Sequence, residues 1–314
     1  MISKPEPPVI RPHPTTTSPA GFSAALGATV LWGIGNVAIA RAPIGGLSLA
    51  FHRLWIAAVL YGFVLYATGG RLTARSFKYG MPGAIAFAAD IGTFFLAIKN
   101  TTVADAVTIS ALQPVVILFV AGALFGEKVR ARHVVCTIVA IIGVAAVVRG
   151  SSSSGGATIF GEVMAVAALF AWAWYFIASK QARQHLDTLE YLTVVMIGGL
   201  PIIAPFALIS GELADTTMSW ETFGWVMLVV LLPGSGHILI NWAHGHSTII
   251  SSSLLTLLMP VISTAGAAMW LDQPVTSIQV IGIGVVLSAL AIVIVGDARA
   301  ASLDAESLEE GPRV

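Results

Sequence analysis

The chain has 314 residues, of which 56% are hydrophobic and only 10% charged, and its mean hydropathy is +0.87. A water-soluble domain carries about 25% charged residues, so the composition excludes one. Zero net charge removes the basic footprint of a nucleic-acid binder, and a single cysteine, Cys136, excludes an internal disulfide or a cysteine-built metal site.

A polytopic membrane protein remains. Residues 1–21 contain Pro5, Pro7, Pro8, Pro12, Pro14 and Pro19 and are expected to form a disordered cytoplasmic tail. The A-x-A sequence Ala38-Ile39-Ala40 after an apolar run admits a signal-peptide reading, which the repeat described below disfavours. A spanning helix needs about 20 apolar residues, and a mid-membrane charge costs roughly 2.5–3.5 kcal/mol. On that basis spans are predicted at 22–40, 45–68, 79–98, 103–125 and 132–149. Ser151–Ser154 and Gly155-Gly156 read as a linker, 150–158. Five further spans follow at 160–179, 190–209, 220–243, 249–271 and 276–296, with an acidic cytoplasmic tail, expected to be disordered, over 297–314. The uncharged run 222–271 is too long for one helix and is divided at His244–Thr248, and the span 79–98 is interrupted by Asp90 alone.

With a cytoplasmic N-terminus, the inside segments hold Lys4, Arg11, Arg71, Arg75, Lys78, Lys128, Arg130, Arg132, Lys180, Arg183, Arg299 and Arg313. The outside holds only Arg41, Lys99 and Arg149, which fits the positive-inside rule. Both termini are therefore expected in the cytoplasm, although the second half contributes little to the bias.

The ten spans divide into two copies. An offset of 146 pairs Thr102 with Thr248, Leu112 with Leu258, Pro114 with Pro260, Ala121 with Ala267 and Val129 with Val275. An offset of 140 pairs Ala28 with Ala168 and Trp32 with Trp172. Because each copy has an odd number of spans, the second enters from the opposite side. The predicted fold is all-α and integral to the membrane: ten transmembrane helices as two inverted five-helix repeats, over 22–149 and 159–296. This architecture places a substrate site near the midplane between the halves and suits alternating access.

Ala28–Asn36 (ATVLWGIGN), Phe51-His52-Arg53-Leu54 and Ala97–Lys128 (AIKNTTVADAVTISALQPVVILFVAGALFGEK) resemble the EamA branch of the drug/metabolite transporter superfamily. The second copy is present as Ala168–Lys180 (ALFAWAWYFIASK) and Ala243–Gln273, with Asp272-Gln273 where the first half has Gly126-Glu127. The resemblance covers about 22–297. It implies a ten-helix exporter of amino acids or related small metabolites in a bacterial inner membrane. Ala171–Tyr175 and His244-Gly245-His246 are loosely similar to the aromatic amino-acid exporters of that family, without fixing a substrate.

Within the spans, Arg53 and Asp90 are the sharpest signal, because intramembrane charges face a partner or a wet cavity. Each lies about eight residues inside its span from the outer end, roughly 12 Å deep at 1.5 Å per residue. One reading is a substrate carboxylate clamp at Arg53, with Asp90 taking an amine or a coupling proton. The other is a fixed structural ion pair beside the cavity, and a structural Arg53 with a functional Asp90 is a third. Trp172, Trp174 and Tyr175 lie near mid-depth, where an indole N–H needs a partner. The two tryptophans are about 200° apart, so only one can face a cavity. Trp32 and Trp55 are deep but weaker candidates, while Trp220, Trp225, Trp242 and Trp270 fit the interfacial belts. His237, Asn241 and His244 share one helix face, which is either wetted or an interhelical hydrogen-bonding seam; His237 is a candidate proton carrier. Asn36 is placed to reach the same cavity.

Pro114 after Gln113 and Pro260 after Met259 free backbone carbonyls, giving either fixed kinks or gates. Asp105 and Glu162 read as first-turn acids, Glu127 and Lys128 as interface residues, and Cys136 as packing. An intramembrane enzyme lacks support: there is no H-E-x-x-H, no phosphate-binding loop, and Pro233-Gly234-Ser235-Gly236 misses the rhomboid pattern. A channel or a membrane scaffold fits less well than a carrier. The expected function is secondary transport, most simply amino-acid export, with a multidrug or cation exporter as the alternative. The expected partners are a small-molecule substrate and the lipid bilayer, with either proton antiport or downhill facilitation as the driving force. No cofactor, metal or nucleic acid is expected.

Overall fold

The computed structural model describes residues 12–151, 158–271 and 275–309. Helices α1 (Pro19–Arg41), α2 (Gly46–Ala67) and α3 (Ala74–Asn100) are followed by a broken pair, α4 (Val103–Ser110) and α5 (Gln113–Phe125), and then α6 (Ala131–Ser151). The second half repeats this order with α7 (Ile159–Ala182), α8 (Thr188–Ile209), a short α9 (Glu212–Asp215) and α10 (Trp220–His244). A second broken pair, α11 (Ile249–Leu255) and α12 (Met259–Trp270), precedes α13 (Ser277–Glu309). No strand occurs among the described residues.

Side-chain caps set many of these starts. Oxygens of Ser18, Thr73, Thr102, Thr158, Ser219 and Thr248 each accept a backbone N–H from the first turn of the helix they precede. Such caps satisfy donors that neither lipid nor the helix can reach. Thr102 also donates to the Asp105 carboxylate at 2.6 Å, so Asp105 serves helix capping, as its position suggests.

Spans expected as continuous at 103–125 and 249–271 are interrupted just before Pro114 and Pro260. In the first, Ala111 and Leu112 separate α4 from α5; in the second, a 3-10 turn over Thr256–Leu258 joins α11 to α12. The cause is local: proline has no N–H to give the carbonyl four residues back and its ring crowds that carbonyl. By contrast α3, α8 and α10 absorb Pro82, Pro201, Pro205 and Pro233 without breaking.

Eight helices among the described residues are long and apolar enough to cross a membrane, counting each broken pair as one. Helices α6 and α13 run through the last expected span of each half, 132–149 and 276–296. Two terminal expectations change. Helix α13 passes Asp297 unbroken to Glu309, so the acidic segment is helical over most of its length. Pro12–Ser18 is not a free tail: the Ser18 amide donates to the His246 carbonyl at 3.0 Å, and the His13 ring meets Phe125 edge-on at 4.9 Å. Asp272-Gln273 and most of the linker lie outside the described residues.

Helix pairing mixes the halves. The main contacts are α3 with α7, α1 with α10, α6 with α13, and α2 and α3 with α8. Many large apolar side chains, among them Phe63, Phe119, Phe206 and Ile209, point outward, a surface that lipid rather than water accommodates. Among the large side chains of the interior, many positions are alanine or glycine, which bring backbones close. At Gly236 a Cβ would stand 2.7 Å from the Trp32 indole nitrogen, so only glycine seats that ring against α10.

Candidate functional site

A cavity lies between the halves at the level of both helix breaks. It is lined by Trp32, Asn36 and Ile39 of α1, Arg53 of α2, and Asp90, Ile91, Phe94 and Phe95 of α3. Ser110 at the end of α4, Trp172 of α7, Pro233 and His237 of α10 and Met259 at the start of α12 complete it. The breaks place Ser110 and Met259 here, since the wall comes from helix ends rather than continuous helices. Its volume is about 50 Å³. That holds a few waters and is far below the ~300–1,000 Å³ of a drug-sized pocket.

Arg53 and Asp90 are 3% and 7% exposed and both line the cavity. No salt bridge closes between them, so the fixed ion pair is not the arrangement found. The guanidinium carbon stands 5.4 Å from the Phe87 ring centroid and 5.6 Å from that of Phe95, a cation–π setting that tolerates a buried arginine. Its Nη2 nevertheless has no hydrogen-bond partner, and an unpaired buried donor on a charged group is costly.

Three other polar atoms here share that condition. Trp172 Nε1, His237 Nδ1 and Ser110 Oγ are buried and unpartnered. The His237 ring is enclosed by Phe87 at 4.8 Å, Trp32 at 5.0 Å, Tyr175 at 5.7 Å and Trp172 at 5.8 Å. Two residues are already anchored: Trp32 Nε1 donates to the Pro233 carbonyl at 3.1 Å, and Asn36 Nδ2 donates to Ser263 Oγ at 3.2 Å. Trp32 and Trp172 meet edge-on at 4.9 Å and form an aromatic wall facing the charges.

The structure brings Asn36, Arg53, Asp90, Trp172 and His237 around one cavity and leaves Trp174, Tyr175 and Asn241 off its wall. Trp174, roughly opposite Trp172 on the helix, is 45% exposed and turned outward. Tyr175 and Asn241 sit behind the wall. Asn241 Nδ2 donates to Tyr175 Oη at 2.7 Å and to the His237 carbonyl at 2.6 Å, while Ser179 Oγ donates to Asn241 Oδ1 and contacts His244 Nδ1 at 2.8 Å. Below His237 the polar stripe of α10 is therefore an interhelical seam, and Tyr175 stacks on Trp172 at 5.6 Å to support it. Pro114 and Pro260 are buried at the starts of α5 and α12 and do not line the cavity. Trp55 is 39% exposed and bonded to His52. Sequence reasoning undervalued Trp32, whose pairing with Trp172 in the repeat was its signal, and missed Ser110, Phe94 and Phe95, which carry none.

The model of the EamA-like transporter family matches the chain twice, over residues 19–149 and 159–295. Among curated proteins, the chain is similar to an uncharacterised transporter, YetK, of Bacillus subtilis (strain 168), at 22% identity over 63% of this chain and 62% of that protein. It is also similar to a probable amino-acid metabolite efflux pump of Escherichia coli (strain K12), at 25% identity over 55% of this chain and 60% of that protein. A counterpart in Salmonella typhimurium with the same description is 26% identical over the same shares. The matched region thus spans about three fifths of these relatives' length. A chain of known crystal structure shares the fold at a TM-score of 0.70, with 17% identity, covering 89% of this chain and 98% of that one.

Proposed function

The chain belongs to the EamA-like transporter family, and we propose that it is a carrier that exports amino acids across a bacterial inner membrane by alternating access. The observation that carries the reading is the cavity with Arg53 and Asp90 on its wall, two opposite charges that do not satisfy each other. A zwitterion completes both. Its carboxylate would take the open guanidinium edge, its ammonium the Asp90 carboxylate, and its side chain the face of Trp32 and Trp172. A charge-assisted hydrogen bond contributes about 1.5–3 kcal/mol, so each end of the ligand would be worth roughly tenfold or more in affinity.

On this reading the ten expected spans cross as two inverted repeats with both termini in the cytoplasm, α6 and α13 being the fifth span of each. Helix pairing supports this. Exchanging the halves turns α3 on α7 into α10 on α1 and leaves α6 on α13 and α2 on α8 unchanged. The small cavity supports alternating access, since a ligand enters only if the halves part. A probable amino-acid metabolite efflux pump among the relatives supports the substrate class.

A second reading, a cation or drug exporter, draws on Asp90 and the aromatic wall without using Arg53. Counterflow in proteoliposomes separates the two. The zwitterion reading predicts saturable counterflow of an amino acid that is lost in a folded Arg53→Ala variant. Counterflow of organic cations alone, unaffected by Arg53→Ala, overturns it.

A further inference from the structure

Two glutamates outside the cavity each reach across from one half to backbone of the other, at opposite ends of the molecule. Glu127 follows α5 in the first half, after the left-handed Gly126 (φ 66°). Its Oε1 accepts the Ile249 amide at 2.6 Å and its Oε2 the Ile250 amide at 3.1 Å, both in α11 of the second half. Lys180 of α7 pairs with Oε1 at 2.9 Å and donates to the Ser247 carbonyl at 2.7 Å. The two side chains are 2% and 0% exposed.

At the other end the direction is reversed. Glu212 of α9, in the second half, accepts the Ser48 amide of α2 at 3.0 Å, and Ser48 Oγ meets Thr216 Oγ1 at 2.7 Å. The approach is tight: a Cβ on Gly45 would stand 2.2 Å from Glu212 Oε2. The same end carries a bond from Arg41 Nε of α1 to the Trp270 carbonyl of α12, at 3.1 Å. Beside Glu212 lies an open vestibule of about 650 Å³ lined by Ala42, Gly45, Asp215, Thr217 and Thr222.

We propose that Glu127 and Glu212 are reciprocal gate clasps, each holding one end of the cavity shut by gripping amides of the opposite half. This rests on the alternating-access reading above. With both clasps engaged the cavity is reduced to its present volume, and opening to one side requires release of one while the other holds. The clasps are unequal. Glu127 is buried and ion-paired, whereas Glu212 is half-buried and borders the vestibule. The Glu212 end therefore opens more readily, and the resting protein favours access from that side.

The test is a pair of spin-label distances in detergent-purified full-length protein carrying Cys136→Ser. Labels at Lys128→Cys and Gln181→Cys report the Glu127 end, and labels at Pro43→Cys and Thr217→Cys report the Glu212 end. Glu127→Gln is expected to lengthen the first distance and leave the second short, and Glu212→Gln to do the reverse. A merely structural role would lower stability without this opposed response. Because Glu127→Gln leaves Lys180 buried and unpaired, Glu127→Gln/Lys180→Gln serves where the single variant does not fold, with the same expected shift. Folded variants that move neither distance, or both together, overturn the proposal. Counterflow by the unlabelled parent chain keeps the two ideas apart: intact counterflow with unmoved distances refutes the clasps alone, and absent counterflow refutes the carrier reading beneath them.

Discussion

Arg53 sets the terms at the scale of single residues. A guanidinium at this depth is retained only where something meets it, and the protein supplies two aromatic faces but no acceptor for Nη2. Asp90 is the acid facing the same space. If it also carries a coupling proton, Asp90→Asn should weaken amino-acid affinity by roughly tenfold through the lost ammonium contact and abolish the response of the remaining counterflow to an imposed pH gradient. Retained pH dependence in a well-expressed variant removes that role. The tryptophans give a sharper contrast, since they differ only in the side of α7 they occupy. Trp172→Phe loses the free indole N–H in the wall and should weaken binding several-fold, whereas Trp174→Phe should leave it within error. Helical spacing in the sequence shows that only one of the two can face inward. Which one is decided by the packing of α7 against α3, which no local pattern reveals.

His13 adds a pH effect outside the spans. Burial, and then the charges of Lys180 and His185, hold its pKa down from 6.5 to about 4. The docked segment thus prefers neutral His13. Its contribution is fully present above pH 6.5 and is lost as pH falls through the window from 6.5 to about 4. Amide exchange over residues 12–18 should accelerate between pH 7 and pH 5, after correction for intrinsic exchange, and His13→Phe should flatten that change. An unchanged profile in the parent chain would mean the segment is held by Thr17 and Ser18 alone.

At the scale of elements, hydropathy fixes most boundaries to within a few residues, because a stretch free of charge in lipid has little choice but helix. Hydropathy does not show where a helix ends in a functional sense. Pro114 and Pro260 mark the interruptions in the sequence, but only the fold shows that Ser110 and Met259 are thereby delivered to the cavity. Pro114→Ala restores a backbone N–H four residues after Ser110 and should let α4 run into α5. The expected result is slower counterflow in a protein at least as stable as the parent. Unchanged transport would make the break a fixed kink. Glu127 was legible only as an interface residue, since the amides it accepts lie more than a hundred positions away and its ion-pair partner Lys180 is on another helix. Removing one member of a buried ion pair costs about 3–5 kcal/mol. Lys180→Met should therefore lower the unfolding temperature markedly, and more than Glu212→Gln does.

At the scale of the whole molecule, the two halves are interleaved rather than set side by side. Both cavity charges come from the first half, and Trp172 and His237 from the second. On the proposed repeat, drawn from aligned prolines and span counts, the cavity's position between the halves followed. The division of labour did not, because the weak identity between copies hides which residues each has kept. On this account the first half carries the charge recognition, each half gives one tryptophan to the aromatic wall, and a ligand is bound only where they meet.

The most direct test of that claim is tryptophan-fluorescence titration of the purified protein with an amino acid, its decarboxylated amine and its N-acetyl derivative. Two-ended recognition predicts that the intact zwitterion binds roughly tenfold or more tightly than either truncated ligand. Arg53→Ala should then bring the amino acid down to the level of the amine. An amine that binds the parent protein as tightly as the amino acid, with Arg53→Ala making no difference, would contradict the account and leave a cation carrier in its place.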